Sequence, residues 1–102
     1  MIRFGGRSFS LLTEPQTSDK VGNCSDQSGT ITLMREGDIG VRELGFLEEV
    51  VHAADFSMGL GLSHKLVKAL AFGIQSFLRQ NIKAPPNWFE RFYDDPKTRK
   101  GK

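Results

Sequence analysis

Hydrophobic and polar positions alternate in three short stretches near the N-terminus, at residues 2–4, 7–12 and 30–34. Such alternation places the apolar side chains on one face of a β-strand. Gly5-Gly6 separates the first two stretches and can form a two-residue turn, which predicts a β-hairpin. The polar segment 13–28 is predicted to be a loop, and the third stretch is predicted to be an edge strand.

The apolar spacing changes to a helical period in the middle of the chain. Within residues 41–56, four apolar residues recur at intervals that place them along one side of a helix. They are Leu44, Leu47, Val51 and Ala54. Asp38 precedes this segment and can cap the N-terminus of the helix. Glu48 and His52 border the apolar stripe of this predicted helix.

A second helix is predicted to start after Ser63, a good N-cap residue, and to end near Gln80. Its apolar residues fall at helical spacing and are expected to be buried: Leu66, Val67, Leu70, Ile74, Phe77 and Leu78. The opposite face is expected to carry the polar residues Lys65, Lys68, Gln75 and Arg79. His64 lies at the edge of the apolar face, so its side chain is expected to point inward.

The end of the chain is rich in aromatic residues. Pro85-Pro86 stops any continuation of the second helix. The aromatic segment 88–93 is predicted to fold back over the core and to cover Phe72, which lies on the polar side of the second helix. The alternative is that Phe72 belongs to a surface patch that binds a partner.

Strands precede helices along the chain, an order that is typical of an α+β domain. We predict a small antiparallel three-stranded sheet, made of the N-terminal hairpin and the edge strand, packed against two main helices and followed by the short aromatic segment. Residues 1–93 would form a single domain. Residues 94–102 would form a basic, disordered tail.

Composition limits the chemistry that this domain can perform. Among 102 residues, 14 basic and 12 acidic side chains give a net charge of +2, which is too weak to indicate nucleic-acid binding. Cys24 is the only cysteine, so any metal must be held by His and carboxylate side chains. No apolar run approaches the roughly 18 residues of a membrane span. The N-terminus lacks the apolar core of a signal peptide, so we expect a cytoplasmic protein with no membrane partner.

The predicted first helix carries Glu48-Glu49-Val50-Val51-His52, which differs by one residue from the pattern H-E-x-x-H. In that pattern two His on one helical face bind zinc, and the Glu between them is the general base. Here His52 matches the second His and Glu49 matches the base, whereas Glu48 replaces the first His. Glu48 and His52 are four residues apart and point the same way. The alternative is a solvated helical face with an ordinary surface His.

Beyond this motif, residues 2–81 resemble the small phage-type zincin metallopeptidases. Members of that family have a hairpin, a Gly-acidic loop, a strand reading T-I-x-I, a helix like L-H-E-x-x-H-A-x-D and a second helix like L-S-E-x-x-V-x-x-L-A that ends near R-x-N. The matching stretches here are residues 22–26, 30–33, 47–55, 62–71 and 79–81. The resemblance implies a minimal zincin-like fold and a phage-encoded hydrolase that acts in the host cytoplasm.

The resemblance also implies a zinc site. The third zinc ligand of the family is a Glu on the second helix, and His64 occupies that position. The chain therefore departs from the family pattern twice, and the two departures are reciprocal. The implied ligands, Glu48, His52 and His64, are still two imidazoles and one carboxylate. Zinc accepts this set with a fourth position left for water, and non-haem iron accepts it as well.

Further roles follow from the motif and from the predicted positions of the residues. Glu49 would be the general base, and Asp55, three residues after His52, would orient a ligand, although a plain solvated Asp is the alternative. The edge strand with Thr30, Ile31, Thr32 and Leu33 would bind the substrate, because an extended peptide can pair with its backbone.

The residues allow two functions. In the first, the chain is a metal-dependent peptidase or peptidase-like protein with a protein or peptide substrate. In the second, no metal binds, and Glu48 and His64 form an ion pair or hydrogen bond between the helices. The chain would then be a catalytically inactive zincin scaffold that binds a host protein through its edge strand or its aromatic C-terminus.

Overall fold

A computed structural model of the chain describes residues 1–14, 22–25 and 29–94 and confirms the α+β fold. The elements are strands β1 (Ile2–Phe4), β2 (Arg7–Glu14), β3 (Gly22–Ser25) and β4 (Thr30–Met34), helices α1 (Ile39–Met58) and α2 (His64–Asn81), and a short 3₁₀ helix (Trp88–Phe92). The predicted tail lies outside the described residues except for Asp94. No helix in the described part of the chain is long and apolar enough to cross a membrane.

The sheet has four strands, in the order β1-β2-β4-β3, where three were predicted. β1 and β2 form the predicted antiparallel hairpin, in which Gly5 adopts φ 55°. β2 and β4 are parallel, so the sheet is mixed and the prediction of a purely antiparallel sheet is wrong. The additional strand, β3, lies in the predicted loop. Its sequence, GNCS, lacks the β-branched and aromatic residues that mark strands, and its backbone pairing with β4 defines it instead.

The prediction that residues 30–34 form an edge strand is also wrong. β4 lies between β2 and β3, so that Ile31 is opposite Leu11 on one side and Cys24 on the other. The backbone groups of an inner strand are already engaged on both sides, and a peptide cannot add to it. Thr30, Ile31, Thr32 and Leu33 therefore do not offer the substrate a free edge. The outer strands of the described sheet are β1 and β3.

One face of the sheet supplies half of the hydrophobic core. Phe9, Leu11, Ile31 and Leu33 are at alternate positions of β2 and β4 and are almost completely buried. They pack against side chains from both helices and from the C-terminal segment, chiefly Phe46, Leu47, Ala53, Ala71, Phe89 and Tyr93. Burial of each large apolar side chain contributes about 1.5–3 kcal/mol to the free energy of folding.

Helix α1 lies between the sheet and α2 and is fixed at both ends. At its start Asp38 Oδ2 accepts a hydrogen bond from the Val41 N–H at 3.0 Å, which confirms the predicted cap. At its end Gly59 adopts the left-handed conformation with φ 63°. Because α1 has neighbours on two sides, it buries three acidic residues, Glu43, Glu49 and Asp55, beside its apolar stripe.

The aromatic C-terminal segment folds back on the core, as predicted. Phe89 and Tyr93 are completely buried, and Arg42 on α1 binds this segment through a 2.7 Å ion pair with Glu90. The Asp94 N–H donates to the Leu11 carbonyl at 2.7 Å, and the Leu11 N–H donates to Asp94 Oδ2 at 2.8 Å. Asp94 therefore belongs to the domain, whereas the disordered tail was predicted to begin there.

Helix α2 starts after Ser63, whose Oγ accepts from the Leu66 N–H at 3.2 Å, as predicted. Its orientation differs from the prediction, and the expectation that His64 points inward is wrong, because His64 is exposed. Only Val67 and Ala71 are buried, whereas most of the predicted apolar face is exposed. Phe72 is 64% exposed, so the prediction that the aromatic segment covers it is wrong.

A buried carboxylate explains this orientation of α2. Glu43 is 2% exposed and accepts hydrogen bonds from the Gln75 amide at 2.9 Å and from the indole N–H of Trp88. Arg79 forms an ion pair with it at 3.2 Å. Since a buried carboxylate needs such donors, the polar residues Gln75 and Arg79 turn toward α1, and the apolar stripe turns away.

Candidate metal centre

The two histidines of the chain meet where α1 ends and α2 begins. The ring centroids of His52 and His64 are 5.9 Å apart, and the ring planes are inclined by only 23°. Far from this end, Gln75 bonds to Glu43 and to the Gly40 carbonyl, so the two helices run antiparallel. The antiparallel arrangement and the short connection together bring residues 52 and 64 onto neighbouring turns.

Asp55 holds the connection that positions His64. Its backbone carbonyl accepts from the Gly59 and Leu60 N–H groups at 2.8 and 3.3 Å. Its side-chain Oδ1 accepts from the Leu62 N–H at 3.2 Å. Asp55 is 9% exposed, so it is not the plain solvated residue of the alternative interpretation. Its hydrogen bond to Leu62 fixes the backbone two residues before His64, and a role in orienting a ligand stays a prediction.

The separation of the two imidazoles fits a shared metal ion. A zinc ion lies about 2.1 Å from each ligating imidazole nitrogen and thus roughly 3.2 Å from the ring centroid. Two rings that share one ion are therefore at most about 6.4 Å apart, and a tetrahedral angle would place them about 5.2 Å apart. The 5.9 Å between His52 and His64 lies between these two limits.

One of the two glutamates, Glu48, lies next to this pair without completing a site. Glu48 is half-buried, one turn before His52, and its charge acts on the His52 ring. In the part of the chain that the structure describes, no three His, Cys, Asp or Glu side chains form a group that could hold a metal ion. The structure therefore brings His52 and His64 together but does not place Glu48 with them as a third ligand. Glu49 is 6% exposed and lies about 100° further round the helix than Glu48.

The surroundings of His52 lower its pKa below the ordinary value of 6.5. Partial burial of the ring is the largest cause, and the charge of His64 acts in the same direction. Asp55 and Glu48 act in the opposite direction, because their negative charges favour the imidazolium. Metal ligation requires the neutral imidazole, so this environment favours the form of His52 that binds metal.

Removal of the neighbouring imidazole is expected to raise the pKa of His52. In metal-free protein, His64→Ala should move this pKa upward toward 6.5, because it removes a positive neighbour and opens the ring to water. The pH dependence of the His ring resonances in NMR spectra measures the change. Lys68→Ala, which removes an exposed cation of α2, is the control and should have little effect. A His52 pKa that stays constant or falls in His64→Ala would contradict the described contact.

The same shift has a consequence for stability. Because the pKa of His52 is lower in the folded chain than in the unfolded chain, the unfolded chain binds the proton first as the pH falls. The contribution of His52 therefore lowers the free energy of unfolding as the pH drops through about 6.5, and the loss levels off below the folded-state pKa.

The sequence interpretation missed one neighbour of the site. The ring of Phe56 stacks beside that of His52, with centroids 6.2 Å apart, and Phe56 is 37% exposed. The signal was present, since His52 and Phe56 are four residues apart on one helix. Phe56 places a partly exposed apolar ring next to His52.

Comparison of the chain with models of protein families, with curated proteins and with solved structures found no match. The function is therefore inferred from the arrangement of the residues of the chain.

Proposed function

We propose that the chain is a metal-dependent peptidase-like protein of the cytoplasm. In this proposal His52 and His64 hold a zinc ion, Glu48 supplies the third ligand, and Glu49 is the general base. The observation that carries the proposal is the pairing of the only two histidines of the chain, from two different helices, at a centroid separation of 5.9 Å.

Each residue has a distinct chemical task in this proposal. A bound zinc ion would supply a Lewis acid that polarises a peptide carbonyl and lowers the pKa of water. His52 and His64 remain neutral, because a protonated imidazole has no lone pair to donate. Glu48 lies on the same helical face as His52 and would reach the pair only after a change of side-chain rotamer, because the described structure does not group it with the two rings. Glu49 takes a proton from the attacking water and passes it to the leaving amine.

The substrate in this proposal is an extended peptide, and its docking strand is β3. The outer edge of β3 is opposite β4, and β3 also packs against α1, which carries Glu48 and His52. A peptide that extends the sheet at this edge would run beside the active helix. The exposed ring of Phe56 offers an apolar contact for one of its side chains.

The metal content tests the proposal. Protein purified without chelators is expected to carry about one zinc or iron per chain by elemental analysis, with a metal affinity at least 100-fold lower in His64→Ala and in Glu48→Ala. The reason is that each variant removes one of three ligands. Glu36→Ala, which removes an exposed carboxylate outside the site, is the matched control and should keep the metal.

Two results would overturn the metal proposal. One is a wild-type chain that arrives without metal and shows no saturable site in zinc titration calorimetry. The other is metal binding that persists at full affinity in His64→Ala. If iron rather than zinc is found, the ligand set stands, and the chemistry changes to that of the non-haem iron sites with two His and one carboxylate.

A second candidate is a catalytically inactive scaffold that binds a protein. It is favoured by the lack of a three-residue metal group in the described residues and by the exposed apolar side chains on α2. In that case Glu48 and His64 would interact directly, and removing both would cost less stability than the sum of the single losses. A double-mutant cycle with metal-free protein, based on Glu48→Gln and His64→Gln, measures this coupling.

A further inference from the structure

Helix α2 presents a row of large apolar side chains to solvent. Leu66, Leu70, Ile74 and Phe77 are 52%, 48%, 41% and 57% exposed, whereas a core residue of this helix such as Val67 is 0% exposed. Leu66, Leu70, Gly73 and Phe77 follow one another at steps of four, three and four residues. This step pattern is the one by which helices form a straight seam with a partner helix. We call the surface formed by Leu66, Leu70, Gly73, Ile74 and Phe77 the α2 stripe.

The α2 stripe contains no charged residue, and the residue at its centre has no side chain. Lys68 and Arg79 lie on the far side of the helix, about half a turn from the middle of the stripe, and Lys65 lies roughly a third of a turn from it. Gly73 lies in the centre of the stripe, and a Cβ atom placed there would meet no atom within 4 Å. The centre of the stripe is therefore a shallow depression between larger side chains, which is a hole into which a side chain of another helix can fit.

We propose that the α2 stripe is the contact between two copies of this chain, which pair their α2 helices antiparallel about a two-fold axis. In one antiparallel register Leu66 is opposite Phe77 of the second copy, Leu70 is opposite Gly73, and Ala69 is opposite Ile74. Near the axis, each large side chain is then opposite a small residue. Leu70 of each copy packs into the space above Gly73 of the other copy. An interface with two-fold symmetry requires such self-complementarity, which a surface for an unrelated partner would not need.

The area of the α2 stripe is consistent with a weak dimer. Its exposed side chains present roughly 400 Å² of apolar surface, which is at the size where a patch on a single chain is often functional. With the uncharged polar residues at the ends of α2, each copy would bury roughly 600 Å², which totals about 1,200 Å², the lower limit of specific interfaces. We therefore expect dissociation in the micromolar range. A lipid surface fits less well, because Lys68 points away from the stripe and only Lys65 flanks it, which leaves few cations to reach anionic headgroups.

Sedimentation equilibrium over about 1–200 µM tests the dimer. The wild-type chain is expected to approach twice its mass of 11.4 kDa at the upper end of this range. Leu70→Glu should stay monomeric at all these concentrations, with an unchanged circular dichroism spectrum, because Leu70 is already half-exposed in the single chain. Phe72→Glu is the matched control, since Phe72 is even more exposed on the same helix but lies off the stripe, and it should still dimerise.

Gly73→Leu distinguishes specific pairing of the α2 helices from nonspecific hydrophobic association. The substitution adds apolar surface and favours the helix, and no atom of the same chain obstructs it. Specific pairing predicts at least a tenfold weaker dimer, because the hole for Leu70 of the second copy is filled. A Gly73→Leu variant that associates more tightly would overturn the proposed register, as would a wild-type chain that remains monomeric at 200 µM.

Cysteine cross-linking tests the direction of the two helices. In a Cys24→Ser background, Leu66→Cys combined with Phe77→Cys should yield disulfide-linked dimers on oxidation, because positions 66 and 77 face each other across the axis. Leu66→Cys alone should not, since the two copies of position 66 would be about 16 Å apart along the helices. Efficient cross-linking of the single variant would overturn the antiparallel arrangement. A monomer that binds vesicles of phosphatidylserine and phosphatidylcholine through Leu70 would replace the dimer with a membrane contact.

Discussion

Glu43→Ala is expected to lower the free energy of unfolding by about 3–5 kcal/mol. The carboxylate is 2% exposed, and its removal leaves the Gln75 amide and the Trp88 indole N–H without their acceptor. Each buried donor that loses its partner costs about 1–3 kcal/mol, and the ion pair with the half-exposed Arg79 adds little. A domain of this size has a total stability of only about 5–15 kcal/mol. Urea denaturation followed by circular dichroism measures the loss, and the midpoint of thermal unfolding should fall by roughly 15–25 °C.

Two variants separate this network from a general effect of losing a carboxylate. Glu36→Ala removes an exposed Glu in the turn before α1 and should change stability by less than about 0.5 kcal/mol. Glu43→Gln keeps an acceptor for Trp88 and should lose less than Glu43→Ala. If Glu43→Ala unfolds as the wild type does, the carboxylate does not connect α1, α2 and the C-terminal segment as described.

The features that could be predicted from the sequence are those with a local cause. The caps at Asp38 and Ser63 depend on a hydrogen bond to a backbone group three residues away, and the Gly5-Gly6 turn depends on residues that are adjacent in the chain. These interactions need no knowledge of the rest of the fold. For the same reason the bounds of α1 and α2 agree with the predicted helices within a few residues.

The sheet shows where local signals end. β3 has no apolar alternation, and it forms because β4 offers a backbone partner. The sequence of β4 does not indicate whether one strand or two strands pair with it. The order of strands is a property of the whole chain, and the substrate edge assigned to residues 30–34 was wrong for that reason.

The orientation of helix α2 was predicted wrongly because every apolar residue was assumed to face the core of the same chain. That assumption ignored Glu43, whose need for donors turns Gln75 and Arg79 inward. It also ignored a second copy of the chain as a place to bury Leu66, Leu70 and Phe77. Apolar residues on a helix mark every surface that becomes buried, and the sequence does not distinguish burial within one chain from burial between two chains.

The proximity of His52 and His64 could be anticipated only through the resemblance to zincins, because the two residues are on different helices. Spacing alone places Glu48 beside His52 on α1, but it cannot fix the side-chain rotamer that would turn Glu48 toward both rings. The structure brings the imidazoles together and leaves Glu48 outside the group.

Glu49→Gln is expected to abolish peptide hydrolysis, with a decrease of about 10²–10⁴-fold in turnover, while the zinc content stays near one per chain. This prediction depends on the proposed function. The amide has the size of the carboxylate but cannot accept a proton, so the water that attacks the peptide loses its base. Glu49 is 6% exposed, and the fold should tolerate an isosteric side chain there, which thermal unfolding can verify.

Zinc-loaded protein incubated with a peptide library, with the products identified by mass spectrometry, gives the turnover, and Glu36→Gln serves as the matched control. Turnover at the wild-type rate in Glu49→Gln would remove Glu49 from the mechanism, whereas loss of zinc in that variant would make Glu49 a ligand and reassign the base.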